Sequence, residues 1–178
     1  MAIGIKGILV LLDIYTNSLM EEQFNKTIIS KAITEDAKIL TDITKKSKAH
    51  WGYSNEQMES WSSQLTIATN YIGTNEVYKL VMNDLVVGYY SYVILEENVV
   101  QLDNLFLLPE YIGLGLGTFL MSDFLDRCKA LKFQKVVLEA DPNAENFYKK
   151  HGFKTIGQID TSIKDRFLPI MELHLDLK

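Results

Sequence analysis

Two rhythms of apolar and polar residues run along this chain. The first is the apolar run of a strand, and it comes three times in succession: Glu76 to Met82, Val86 to Leu95 and Val99 to Leu108. Asn83-Asp84 and Glu96-Glu97-Asn98 separate these runs, and tight polar turns of this kind predict an antiparallel meander. The second rhythm is helical. Leu116, Phe119, Leu120, Phe124, Leu125 and Cys128 recur on one helix face. The β-branched run from Lys135 to Ala140 then predicts a buried strand. A helix joins it to the strand ending at Leu108, so the two are expected to be parallel.

Upstream, Thr27 to Ser30 reads as a short strand. Thr34 is placed to cap a helix, with Glu35 and Asp36 in its first turn, and Ala37, Leu40, Ile43 and Thr44 carry that helix to about Lys46. The aromatic stretch S-K-A-H-W-G-Y-S, with Gly52, predicts a loop. Ser54 and Gln57 then form a capping-box pattern ahead of a second helix with Met58, Trp61 and Leu65 on its apolar stripe. Downstream, Asn143 to His151 predicts a short helix stopped by Gly152, and Thr155 to Ile159 and Pro169 to Leu177 are the last strands. The elements add up to an α/β fold of the α+β type, with a mixed, mostly antiparallel sheet flanked by helices.

Composition narrows the class. The chain has 178 residues, 47% hydrophobic and 23% charged, which suits one globular domain with a core of useful size. A net charge of −5 and the lack of a Lys/Arg block argue against a nucleic-acid binder. One cysteine, Cys128, excludes an intramolecular disulfide and fits a reducing cytosol; inside a helix, packing is its simpler role than nucleophile. Ile8 to Leu12 is too short to span a bilayer, and no A-x-A-like site follows it. Residues 1–24 are read as an extension, with Met20 an alternative start, and 25–178 as the domain. The expectation is a cytoplasmic protein with no membrane partner.

The candidate chemistry begins at L-F-L-L-P-E-Y-I-G-L-G-L-G-T, Leu105 to Thr118. Gly113, Gly115 and Gly117 precede a helix, where unpaired N–H groups and the helix dipole favour an anion. A dinucleotide fingerprint needs different spacing and a parallel βαβ start. A Walker loop needs a lysine before its Ser/Thr, and Gly117-Thr118 has none. A second motif, A-D-P-N-A-E-N-F-Y-K-K-H-G-F, runs from Ala140 to Phe153. Together the two motifs resemble the GNAT superfamily of acyl-CoA-dependent N-acetyltransferases, with the family's L-F-V-x-P strand, [RQ]-x-x-G-x-[GA] loop and F-Y-x-x-x-G-F helix. One position departs: Ile112 stands where the family usually has Arg or Gln, which removes a side-chain contact from a grip made mainly by backbone.

The resemblance implies a splayed sheet and acetyl-CoA as acyl donor. The donor's arm would lie along Leu105, Phe106 and Leu107, and its pyrophosphate on Ile112, Gly113, Leu114, Gly115, Leu116, Gly117 and Thr118. Asn143, Phe147 and Tyr148 would face it from the other side. Tyr148 is the candidate general acid, since a phenol of pKa about 10 can protonate a thiolate of pKa about 8.5; an aromatic core residue is the alternative. Asp103 and Glu139 are candidate bases, or solvated strand-end charges; His50 could serve as base instead, or be structural. His50, Trp51 and Tyr53 are candidates for the acceptor side; the two larger rings equally suit a plug between helices. S-K-A-H-W-G-Y, D-P-N-A and Arg166-Phe167-Leu168-Pro169 also resemble a bacterial GNAT subgroup. Arg166 then either holds a substrate carboxylate or caps a loop. The implied reaction is direct acetyl transfer to a primary amine on a small molecule or peptide, without a metal, by a monomer or homodimer. The alternatives are a non-catalytic acyl-CoA sensor and a protein lysine or N-terminal acetyltransferase.

Overall fold

The computed structural model describes residues 26–161 and 166–176, so the expectation for the N-terminal extension lies outside the described residues. Seven strands form one sheet in the order β1-β2-β3-β4-β5-β7-β6. They are β1 (Thr27–Lys31), β2 (Glu76–Met82), β3 (Leu85–Glu96), β4 (Val99–Leu107), β5 (Lys135–Glu139), β6 (Lys154–Asp160) and β7 (Phe167–His174). Every neighbouring pair is antiparallel except β4 and β5, as the crossover argument requires. The β2–β3 turn carries Asn83 and Asp84 at φ 50 and 64, the doubly left-handed geometry that matches strand twist in a two-residue hairpin.

Among the described residues five α-helices cover the two faces: α1 (Ala37–Ala49), α2 (Asn55–Ser60), α3 (Thr69–Thr74), α4 (Leu116–Ala130) and α5 (Glu145–Lys150). The central strand β3 is buried on both sides, so its apolar residues do not alternate. On one face Leu40, Ile43 and Ile72 pack with Tyr89. On the other, α4 and the C-terminal strands pack with Tyr90 and Tyr92. Phe124 sits 5.6 Å and 5.5 Å from these two tyrosine rings. On α4 the fully buried residues include Met121, while Phe119 is exposed. The helix face is therefore rotated from the predicted one. It presents 116, 120, 121, 124 and 128 to the sheet, an i, i+4, i+8 row.

Three local expectations change. Thr34 is not a helix cap: it opens a 3-10 turn, Thr34–Asp36, and the Asp36 carboxylate accepts the Ile33 N–H at 2.8 Å while pairing with Lys79 at 2.7 Å. Helix α1 runs on through Ser47, Lys48 and Ala49, so three of the eight residues of the expected aromatic loop are helix, and Gly52 at φ 80 ends it. The Ser54–Gln57 capping box forms as read, but α2 stops at Ser60 before a Ser-Ser pair that favours turns, and the Leu65 N–H still bonds the Trp61 carbonyl at 2.9 Å. Helix α3 has no apolar rhythm to betray it. Its formation rests on contacts beyond its own sequence, chiefly buried Ile72 and the hydrogen-bonded Tyr71.

Candidate active site

The parallel strands β4 and β5 share only three register pairs, from Val99–Lys135 to Gln101–Val137, and then part. The cause lies on the other side of β4. Ser91 opposes Asn104 and Tyr92 opposes Leu102, so Asp103 is an extra residue that bends the strand and re-aims its side chain. Beyond the bulge β4 pairs with β3 alone, leaving an unpaired edge that faces a 590 Å³ cleft. Leu105 and Leu107 line one wall, Asn143, Ala144, Phe147 and Tyr148 the other, and Ile112 with Gly113, Gly115, Gly117 and Thr118 close the end.

The glycines have separate reasons. Gly113 and Gly115 take φ 85 and 83, where a side chain strains the backbone. A Cβ on Gly117 would stand 3.3 Å from the Phe147 ring, so this glycine lets α4 approach α5. Ile112 donates its N–H to the Pro109 carbonyl, whereas no backbone bond uses the N–H of Gly113, Leu114 or Gly115 among the described residues. The first helical N–H groups, of Leu116, Gly117 and Thr118, have no carbonyl within the helix to reach. A row of free donors at the positive end of a 15-residue helix thus lines the cleft. Three of the expected side chains face elsewhere: Phe106 packs beside Tyr89, Leu116 is in the core, and Leu114 is exposed. What these three can offer the cleft is backbone.

Tyr148 is buried on α5 and lines both the cleft and an adjoining 170 Å³ cavity. Burial raises its phenol well above the usual range, and the nearby Asp141 charge adds to this. No hydrogen bond ties its hydroxyl among the described residues. Asp103 and Glu139, from the ends of the two parting strands, line the same small cavity. Their surroundings differ. Asp103 accepts from the Tyr71 hydroxyl and from Asn104 Nδ2 at 3.1 Å, while Tyr71 also bonds Ser91 at 2.8 Å. Glu139 has no ion pair or side-chain hydrogen bond among the described residues.

The candidates on the acceptor side divide. Trp51 lines both cavities and is exposed; His50 lies edge-on to it at 5.3 Å and borders neither cavity. Tyr53 turns instead to Asp141, donating to its carboxylate at 2.8 Å. Asp141 also takes Lys48 Nζ at 2.5 Å, Arg166 Nη2 at 3.2 Å, and both the backbone N–H and side-chain amide of Asn143, at 3.0 and 2.9 Å. Burial alone would raise this carboxyl; Lys48, the Asn143 N–H and Tyr53 outweigh it and hold it below the ordinary aspartate value. Lys48 and Arg166 also lie over the rings of Tyr53 and Trp61, at 5.2 to 5.5 Å. Lys48, Asp141 and Tyr71 were not singled out in the sequence. The first two stand inside the quoted motifs as their charged members, which was a usable signal; Tyr71 had none.

A family model described as "Acetyltransferase (GNAT) domain" matches residues 39–172. Among solved structures, the chain is similar to a PaiA N-acetyltransferase from Thermoplasma acidophilum in complex with coenzyme A. That match has a TM-score of 0.71 at 22% identity and covers 84% of this chain and 99% of that one. The ribosomal-protein-S18-alanine N-acetyltransferase of Escherichia coli matches with a TM-score of 0.64 at 19% identity, over 83% of this chain and 93% of that one. YncA of Salmonella typhimurium, solved with acetyl-CoA, matches with a TM-score of 0.61 at 20% identity, over 85% and 95%. No curated protein matches the sequence.

Proposed function

Because this chain belongs to the GNAT acetyltransferase family, we propose that it moves the acetyl group of acetyl-CoA to a primary amine by direct transfer. The observation that carries this reading is the shared wall. Tyr148 borders both the cleft with the free loop N–H groups and the small cavity with Asp103 and Glu139, so donor and acceptor can meet at one phenol. The fit to the donor rests on the cleft itself: an unpaired strand edge for an amide-bearing arm, and unpartnered N–H groups at a helix start for a pyrophosphate. Two relatives of this fold were solved with coenzyme A or acetyl-CoA, which supports the same assignment.

Bound there, acetyl-CoA supplies a thioester whose carbonyl carbon accepts the amine nitrogen and whose sulfur leaves with a proton. Loop residues Gly113 to Thr118 hold the pyrophosphate through main-chain N–H groups, and Leu105 and Leu107 orient the arm. The free β4 edge offers N–H groups to the thioester oxygen as charge develops on it. Tyr148 holds the proton needed at the sulfur, since a phenol of ordinary pKa about 10 is protonated at neutral pH. Glu139 takes the proton from the amine, since its carboxylate is uncommitted, while Asp103, bonded to Tyr71, orders the cavity floor. Trp51 forms the acceptor-side wall.

The test is release of free thiol from acetyl-CoA over a panel of amines. Tyr148→Phe is expected to lower kcat by about a hundredfold, and Glu139→Gln to lower it by a similar factor. Unchanged turnover of either variant across the pH range would remove that residue from its role. Coenzyme A binding without turnover of any amine would favour a sensor.

A further inference from the structure

Beside the acidic transfer cavity lies a second one of 400 Å³, and the two share Lys48 and Leu168 as a wall. Their charges are opposite. Among the described residues the transfer cavity is bordered by Asp103, Glu139 and Asp141 against Lys48 alone. The second is bordered by Lys48 and Arg166, with no carboxylate on its lining among the described residues, and by the polar side chains of Ser60 and Gln64. Among the described residues Asp141 is the only counter-charge in contact with both cations, so two positive charges share one carboxylate there although the Lys48 and Arg166 side chains are only 15% and 13% exposed. The Arg166 Nε is buried with no hydrogen-bond partner. A half-buried cation pair sharing one carboxylate is stabilised by a second anion.

We infer that the acceptor is an amine that also bears an anionic group, carboxylate or phosphate. Its amine enters the cavity of Asp103 and Glu139, and its anion enters the cavity of Lys48 and Arg166. The acidic side attracts an ammonium; the basic side attracts the acid; Trp61, under both cations, lines the basic side. Diamines and polyamines carry a second cation where the protein already has two, so they are disfavoured. Amino acids and short peptide acids are the substrate class that matches both ends. This inference rests on the acetyltransfer reading.

The experiment compares amines of matched chain length: ω-amino acids from glycine upward, n-alkylamines, α,ω-diamines and aminoalkyl phosphates, with free thiol as readout. At the favoured length the acid-bearing amine is expected to exceed the alkylamine and diamine by about tenfold in kcat/KM, through KM. Comparing its carboxylate with its phosphate form identifies the anion. Arg166→Gln is expected to erase most of that preference, and Arg166→Lys to restore part of it. Coenzyme A affinity, set in a cleft that Arg166 does not line, reports that each variant is folded. Alkylamines or diamines used as well as the amino acids, or a preference untouched in Arg166→Gln, would overturn the inference. If no amine is turned over, calorimetric titration of the same compounds into coenzyme A-saturated protein decides it. Arg166-dependent binding of the amino acid sustains the acceptor pocket while the transfer reading fails, and equal or absent binding overturns the pocket as well.

Discussion

Asp141 is a carboxylate placed where burial should neutralise it, and Lys48, the Asn143 N–H and Tyr53 keep it charged. The consequence is a stability that depends on pH with a definite sign. Its folded pKa is depressed, so the contribution is fully present above the unfolded value of about 4 and is lost as pH falls from there through the folded value. Denaturant unfolding of the wild type is expected to weaken between about pH 4 and the acid limit, with a shallower decline in Asp141→Asn. At neutral pH the Asn variant is expected to be less stable by about 3 kcal/mol, because Lys48 and Arg166 are left side by side without their shared partner. A variant as stable as the wild type at neutral pH, with the same acid slope, would show that the cluster is not coupled to folding. The same residue also presents Asn143: with the side-chain amide held to Asp141, this side chain reaches the cleft already oriented.

At the scale of elements, α4 does the most, since its first turn supplies the free N–H groups and its middle builds the core. Phe124, between Tyr90 and Tyr92, is the residue to test. Phe124→Ala is expected to destabilise the fold by about 3–5 kcal/mol. Cys128, one helical turn further on the same face, reports the outcome. Burial pushes its thiol up to about 12, so alkylation in mild base is expected to be slow in the native wild type and faster in the variant. The strands and α4 were legible because their rhythm is set by burial on a face, and the glycine loop because φ-positive positions and a helix start constrain residue type. The 3-10 turn at Thr34, helix α3 and the Asp103 bulge were not legible. Each depends on a partner distant in sequence: Lys79 for Asp36, Ser91 for Tyr71, and the β3 register for Asp103. For the same reason the glycine cradle could be read in the sequence, whereas the Lys48–Asp141–Arg166 cluster could not, since its members lie 93 and 25 residues apart.

The whole molecule is two half-sheets, β1 to β4 and β5 to β7, each antiparallel within itself, joined by the α4 crossover and by three register pairs. A sheet continuous along the full length of β4 would have had no room for the cleft. The short joint is therefore also a seam, and a seam with few rungs is where local opening is cheapest. A molecule lying along the free edge of β4 and held by the loop at the head of α4 adds rungs that the protein itself lacks. Coenzyme A is then expected to act as a stitch. Its addition should slow amide hydrogen exchange in β5 and β7, strands that border the seam, as well as in the glycine loop. It should also raise Tm with concentration, by about 2.7 kcal/mol of stability at a hundred times Kd. Slowing confined to the loop would mean that the halves are already rigidly joined. The vacancy that makes the cleft also leaves the fold mechanically unfinished, and the acyl donor would complete it at each turnover.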